Sequence, residues 1–144
     1  INGNKFKYVS KFADDAPFGD MSAFIAQKFM PKPIKPYVQK HIDQLKDASA
    51  LTCCAFEYVS LLEGERAFSL YTRIEPWDHH AGVLIVEEAG FCSRHWDKSV
   101  YSGRDLRGGI INAPSEKIWD RVHAAFVNEI PQSILQGYFS PKDY

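Results

Sequence analysis

Strand-like and helix-like patterns take turns along almost all of this chain, and that alternation restricts it to folds in which helices cover a sheet. Met21 to Phe29 opens with apolar residues on both alternating faces, as in a buried strand. Pro31, Pro33 and Pro36 then break the backbone ahead of a helix whose apolar positions Ile34, Val38, Ile42 and Leu45 recur at helical spacing. Thr52 to Glu63 reads as a second helix, with Ala55, Phe56, Val59 and Leu62 on one side and Gly64 as its stop. Ala67 to Thr72 alternates as a strand, Asp78 to Ala89 is a helix closed by Gly90, and Phe91 to His95 follows as a strand. Trp96 to Ser99 forms a turn, Gly109 to Asn112 a short buried strand, and Ser115 to Asn128 an amphipathic helix capped by Ser115. Lys5 to Val9 reads as a further short strand, and Gln132 to Tyr144 has no clear period and is expected to be a surface tail. With no repeat, low-complexity segment or internal linker, residues 1–144 are expected to form one domain of α/β layer architecture with a largely covered sheet.

Charge and apolar content narrow the function classes. Seventeen basic residues face eighteen acidic ones in no clustered arrangement, so there is no stripe to track phosphates and no nucleic-acid partner is expected. The longest apolar runs, such as Val83 to Val86, fall far short of the roughly 20 residues a bilayer span needs, and no membrane association is expected. Three cysteines, two of them adjacent, suggest no disulfide frame, so a reducing, cytoplasmic setting is the simpler expectation.

The most specific stretch is PWDHHAGVLIVEEAG, from Pro76 to Gly90. Pro76 fixes a turn, and Asp78 is placed at the start of a helix, where a carboxylate meets unpaired backbone donors and the positive end of the dipole. Helix capping alone would account for such an aspartate. The aromatic beside it, the small Ala81-Gly82 pair one turn on and the acidic-Ala-Gly ending add what capping does not require. Together they resemble the second signature of the inositol monophosphatase family, roughly W-D, two residues, A-G, an apolar helix and E-A-G. Thr52 to Tyr71, Trp96 to Tyr101 and the run Ile110-Ile111-Asn112-Ala113 are also similar to family segments, so the resemblance covers about residues 48–126.

This resemblance implies a fold, a metal and a substrate class. The fold would be the C-terminal half of the family's layered sandwich, a mixed sheet flanked by helices. Asp78 would be catalytic as a ligand of one of two Mg2+ ions, one activating water and the other stabilising the leaving oxygen of a small phosphorylated substrate. Thr52, Cys53 and Cys54 match the small-residue turn that touches substrate, and Arg73 lies on the substrate side, where a guanidinium suits phosphate. Tyr71 stands where inositol-specific members carry a ring-contacting glutamate, which implies another phosphomonoester as the preferred substrate. A homodimer is implied by the same resemblance.

The family's earlier acidic signature, D-P-x-D-G-T, is absent; Asp14-Asp15-Ala16-Pro17-Phe18-Gly19-Asp20 has the composition in the wrong order. The start at Ile1 agrees with the expectation that an N-terminal metal-binding half lies outside this chain and that the chain alone is inactive. The alternative is a non-catalytic binding or assembly domain. Other chemistry is poorly supported. His79 and His80 point about 100° apart on a helix and do not converge on zinc. Cys92 and His95, with or without Cys53-Cys54, read as buried or surface structural residues, and no pattern pairs a cysteine nucleophile with a base. Glu87 and Glu88 read as surface residues.

Overall fold

The computed structural model describes Tyr8, residues 10–104 and residues 108–139. Its elements follow the chain as β1 (Ser22–Ile25), α1 (Lys35–Ile42), β2 (Asp47–Ser49), α2 (Cys54–Leu62) and β3 (Phe68–Tyr71). There follow α3 (Pro76–Glu88), β4 (Cys92–His95), β5 (Ile110–Ala113), α4 (Glu116–Phe126) and α5 (Gln132–Phe139). The five strands form one mixed sheet in the order β2-β1-β3-β5-β4. β1 runs parallel to both β2 and β3, while β5 is antiparallel to β3 and β4.

Strand alternation distributes side chains to two cores, as the pleat requires. Ala23 and Ile25 of β1, Phe68 and Leu70 of β3, and Ile111 and Ala113 of β5 join Ile34, Val38 and Ile42 beside α1 and Ile118, Trp119, Val122 and Phe126 of α4. Phe24, Tyr71 and Ile110, one step along the same strands, pack with Tyr58 and Leu61 of α2 and Val83 and Val86 of α3. Helices therefore cover both faces, and the α/β layered sandwich with a mixed sheet is observed. On the α2–α3 face, Ser69 and Asn112 sit opposite each other across β3 and β5, and Asn112 donates to the Ser69 hydroxyl at 2.9 Å.

Several expectations are corrected. The strand expected from Met21 to Phe29 ends at Ile25, and Gln27–Phe29 is a 3-10 turn. β2 was not foreseen: three residues with little apolar content form a short edge strand. On α2 the inward stripe is Tyr58 and Leu61 with Glu57 and Ser60, whereas Phe56 is 67% and Val59 49% exposed. The expected tail contains α5, which sends Leu135 into the core beside α4. Residues 140–144, and all of the expected Lys5–Val9 strand except Tyr8, lie outside the described residues. Ser115 caps α4 as expected, its hydroxyl accepting from the Ile118 amide at 3.2 Å.

Candidate active site

Three parallel strands end on the same edge of the sheet, and helices leave β1 and β2 for opposite faces, which opens a crevice at their carboxyl ends. A cavity of about 470 Å3 occupies that crevice. Ala26 to Phe29 after β1, Ala50 and Thr52 to Ala55 after β2, and Tyr71 and Arg73 from the end of β3 line it, with Glu57 of α2 and Trp77, Asp78 and His79 of α3. Every site residue expected from sequence, Thr52, Cys53, Cys54, Tyr71, Arg73 and Asp78, borders this one cavity.

The N-termini of α2 and α3 both open on it. Neither helix has a side-chain cap: the N-cap residues are Cys53 and Glu75, and neither side chain accepts a helix N–H. This contrasts with Ser115 on α4. First-turn N–H groups of α2 without a side-chain acceptor, and the positive ends of two dipoles, make the crevice favourable to an anion, although α3 opens on Pro76, which has no N–H, and its Asp78 amide already donates to the Glu75 carbonyl at 3.0 Å.

α3 starts at Pro76, two residues earlier than expected, so Asp78 is its third residue rather than its cap. Its carboxylate is exposed at the cavity. His79 turns inward, 2% exposed, with Nδ1 3.1 Å from the Tyr58 hydroxyl and Nε2 3.9 Å from the Cys54 sulfur. Gly82, the glycine of the small pair, has a packing reason. A Cβ there would lie 2.1 Å from Cδ2 of Tyr58, so the glycine lets α3 close onto α2.

On the α2 side, Thr52 adopts φ 58, a left-handed conformation that β-branched residues rarely take. Glu57, whose side chain lies in the interior, accepts from the Leu51 amide at 2.6 Å and from the Tyr71 hydroxyl at 2.7 Å. Tyr71 thus borders the site with its hydroxyl donated to the buried carboxylate of Glu57. Sequence reasoning missed Glu57 because it stood on the presumed solvent side of α2. The competing stripe Cys54, Tyr58, Leu61 has equal helical spacing and would have flagged it.

The electrostatics disfavour cysteine chemistry. Burial first, then Glu57 and Asp78, push the Cys54 thiol up to about 11, and burial holds the His79 imidazole below its ordinary value. The pair is a neutral thiol beside a neutral ring, not a thiolate–imidazolium nucleophile. Burial likewise raises the phenols of Tyr58 and Tyr71 well above their usual value and keeps them as hydroxyls. Cys92 packs in the other core, on the α4 side of the sheet, away from Cys53 and Cys54.

At the rim, Arg73 is paired with Glu75 at 3.1 Å and its guanidinium lies 5.8 Å from the centre of the Phe29 ring. Trp77 is 77% exposed beside it. Among the described residues, no group of three or more His, Cys, Asp or Glu side chains is arranged to hold a metal ion. Asp78 has the hard-oxygen chemistry magnesium requires, but one carboxylate does not complete its shell. No helix among the described residues is long and apolar enough to cross a membrane.

Comparisons with known proteins bear on the family and the fold. The model of the inositol monophosphatase family matches residues 3–132. No curated protein matches the sequence. Among solved structures, inositol monophosphatase-II from Staphylococcus aureus MSSA476 superposes with a TM-score of 0.75 at 16% identity, covering 96% of this chain and 50% of that one. The Thermotoga maritima IMPase gives 0.67 at 20% identity, covering 92% and 48%. An inositol monophosphatase from Zymomonas mobilis gives 0.72 at 20% identity, covering 87% and 47%. The chain spans about half the length of the structures it matches. With a family model matching residues 3–132, this chain belongs to the inositol monophosphatase family.

Proposed function

We propose that the whole protein to which this chain belongs is a magnesium-dependent hydrolase of a small phosphomonoester. The observation that carries this reading is Asp78. An exposed carboxylate in the first turn of α3 shares one crevice with two helix N-termini that lack side-chain caps. An acid that can hold a cation and amide donors that can hold an anion then meet in one place. SaIMPase-II, similar in fold, has been solved with inositol monophosphate bound and with 2'AMP bound, and a phosphorylated small molecule is the ligand class proposed here.

Magnesium supplies activation of water and neutralisation of developing charge when bound. The chain's own residues have simpler tasks. Asp78 offers one oxygen ligand, and the remaining ligands are proposed to come from a part of the protein outside this sequence. The N–H groups opening α2 orient the anion, and the dipole of α3 adds to the field there. Arg73 stands at the rim with its side chain 61% exposed, able to exchange Glu75 for an anionic substrate. Tyr71 and Glu57 close the inner wall, and Thr52, Cys53 and Cys54 form the turn between wall and helix.

A cytoplasmic setting and a homodimer are parts of the same proposal. The test is a panel of phosphomonoesters assayed with magnesium and with chelator, on the whole protein and on the 144-residue chain. Turnover by the whole protein that vanishes with chelator, with none by the chain, is expected. A whole protein that hydrolyses no member of the panel would favour a non-catalytic binding or assembly domain, and substantial turnover by the chain alone would remove the need for outside ligands.

A further inference from the structure

Among the described residues, Glu57 is the buried member of the Asp, Glu, Lys and Arg set, at 2% exposure. Such a carboxylate is tolerable when its oxygens are bonded, and both are. Its two bonds reach different walls of the cavity: one oxygen accepts from Leu51, in the turn after β2, and the other from Tyr71, at the end of β3. Between Leu51 and α2 sits Thr52 at φ 58. Its hydroxyl donates to the Leu51 carbonyl at 2.7 Å, and the Glu57 amide donates to the Cys53 carbonyl at 3.2 Å. A left-handed threonine persists where its surroundings over-determine it. Here Glu57 holds both ends of the strained turn, by its side chain on one side and its own amide on the other.

We propose that Glu57 is a positioning residue: it clamps the strained Leu51–Cys54 turn to Tyr71 and so sets the seat for the leaving group of the phosphomonoester. This rests on the phosphomonoesterase reading above. The clamp fixes where the first-turn amides of α2 and the Tyr71 ring stand relative to each other, and misplacement of such groups by a fraction of an ångström is costly in a site. Glu57 itself touches neither the metal ligand nor the reacting atoms in this scheme.

The test uses the whole protein with Glu57→Gln, Thr52→Gly and the double variant. Two esters are compared, inositol 1-phosphate and phenyl phosphate. Glu57→Gln keeps the shape but presents an amide donor to Leu51 or Tyr71. It is expected to lower kcat/KM for the hydroxylated ester by at least about tenfold, chiefly through KM, and to lower the ratio between the two esters. Thr52→Gly in that background is expected to return about threefold or more, because glycine takes positive φ without strain and needs no clamp. A structural role for Glu57 alone predicts no such return. Hydrogen exchange at the Leu51 amide, followed by mass spectrometry on the same proteins, should quicken in Glu57→Gln. If that variant does not fold, Tyr71→Phe breaks one arm of the clamp and should raise KM for the hydroxylated ester in the same direction. An unchanged ester ratio with unchanged Leu51 exchange, or no return from Thr52→Gly, overturns the proposal. A parent that hydrolyses neither ester overturns the phosphomonoesterase reading and the leaving-group role with it, and Leu51 exchange then judges the clamp alone.

Discussion

Gly82 of α3 faces the ring of Tyr58 of α2 so closely that an added Cβ would stand 2.1 Å from Cδ2 and 2.4 Å from Cε2. The ring has no easy retreat: it is 2% exposed, its hydroxyl meets His79, and it packs 6.0 Å from Tyr71 between centroids. Gly82→Ala gains about 1 kcal/mol of helix preference and incurs overpacking of about 1–3 kcal/mol. A net loss of up to about 2 kcal/mol is expected, seen as a lower urea midpoint at unchanged slope. Tyr58→Leu in the same chain should recover part of it. A Gly82→Ala protein as stable as the parent would mean that α2 and α3 separate freely.

Asp78→Asn separates capping from chemistry. As the third residue of α3, Asp78 contributes through the helix dipole, and its neutralisation should cost about 0.3–1 kcal/mol of stability. On the proposed reading the same change in the whole protein removes an anionic oxygen ligand for magnesium, and a fall in rate of about a hundredfold or more is expected. Equal rates for variant and parent at saturating magnesium would leave Asp78 as a helix residue and nothing more.

Layer order was legible in the sequence because it rests on long, redundant patterns. α4 shows why: Ile118, Trp119, Val122 and Phe126 all lie on one stripe, and all are buried. α2 was misread because two stripes of equal spacing compete. The more apolar one, with Phe56 and Val59, stays outside, while Glu57 turns in for partners that lie 6 and 14 residues away. Such partners are tertiary and leave no local periodicity. Asp78, Tyr71 and the Thr52–Cys54 turn were singled out through a resemblance, and the structure puts them on one cavity and adds why Gly82 packs as a glycine. What no pattern encoded was the left-handed Thr52, since nothing in a threonine announces positive φ.

Stability should fall on the acid side. His123 is 5% exposed, stacked on Trp119 with centroids 4.9 Å apart, and its Nε2 lies 2.7 Å from the Trp96 carbonyl oxygen. Burial chiefly, with help from Lys98, lowers its pKa below 6.5 despite the carbonyl and Asp120. A group depressed in the folded state contributes stability that is fully present above its unfolded value and lost as pH falls through the folded one. His41 is lowered in the same direction by burial and Lys40. The Tm should therefore decline between about pH 7 and about pH 5, and His123→Gln should make that decline shallower. An acid limb of the same steepness in the variant would assign the loss to other groups.

Tyr71→Glu tests what the buried end of the cavity tolerates. By family resemblance a carboxylate at this position would favour inositol esters, yet here the Glu57 carboxylate already lies 2.7 Å from the Tyr71 hydroxyl. The substitution replaces a donor with a second acid, so two carboxylates must share one buried site and the pair's pKa rises. For a group raised in the folded state, the stabilising protonated form is fully present below the unfolded value of about 4.3 and is lost as pH rises through the folded value. Relative to Tyr71→Gln, which loses the same ring packing, Tyr71→Glu should be about equally stable near about pH 5 and fall behind on the order of 2–4 kcal/mol by about pH 8. Tyr71→Gln, which restores a neutral donor, should keep a constant gap to the parent across this range. Denaturation curves at the two pH values give the stability comparison, and kcat/KM for inositol 1-phosphate against phenyl phosphate gives the selectivity. No gain for the inositol ester is expected from Tyr71→Glu, since the new carboxyl, held beside the buried Glu57 carboxylate, is favoured in its neutral form. A Tyr71→Glu protein that stays as stable as Tyr71→Gln at the higher pH and turns toward the inositol ester would make residue 71, not Glu57, the position that governs the leaving group.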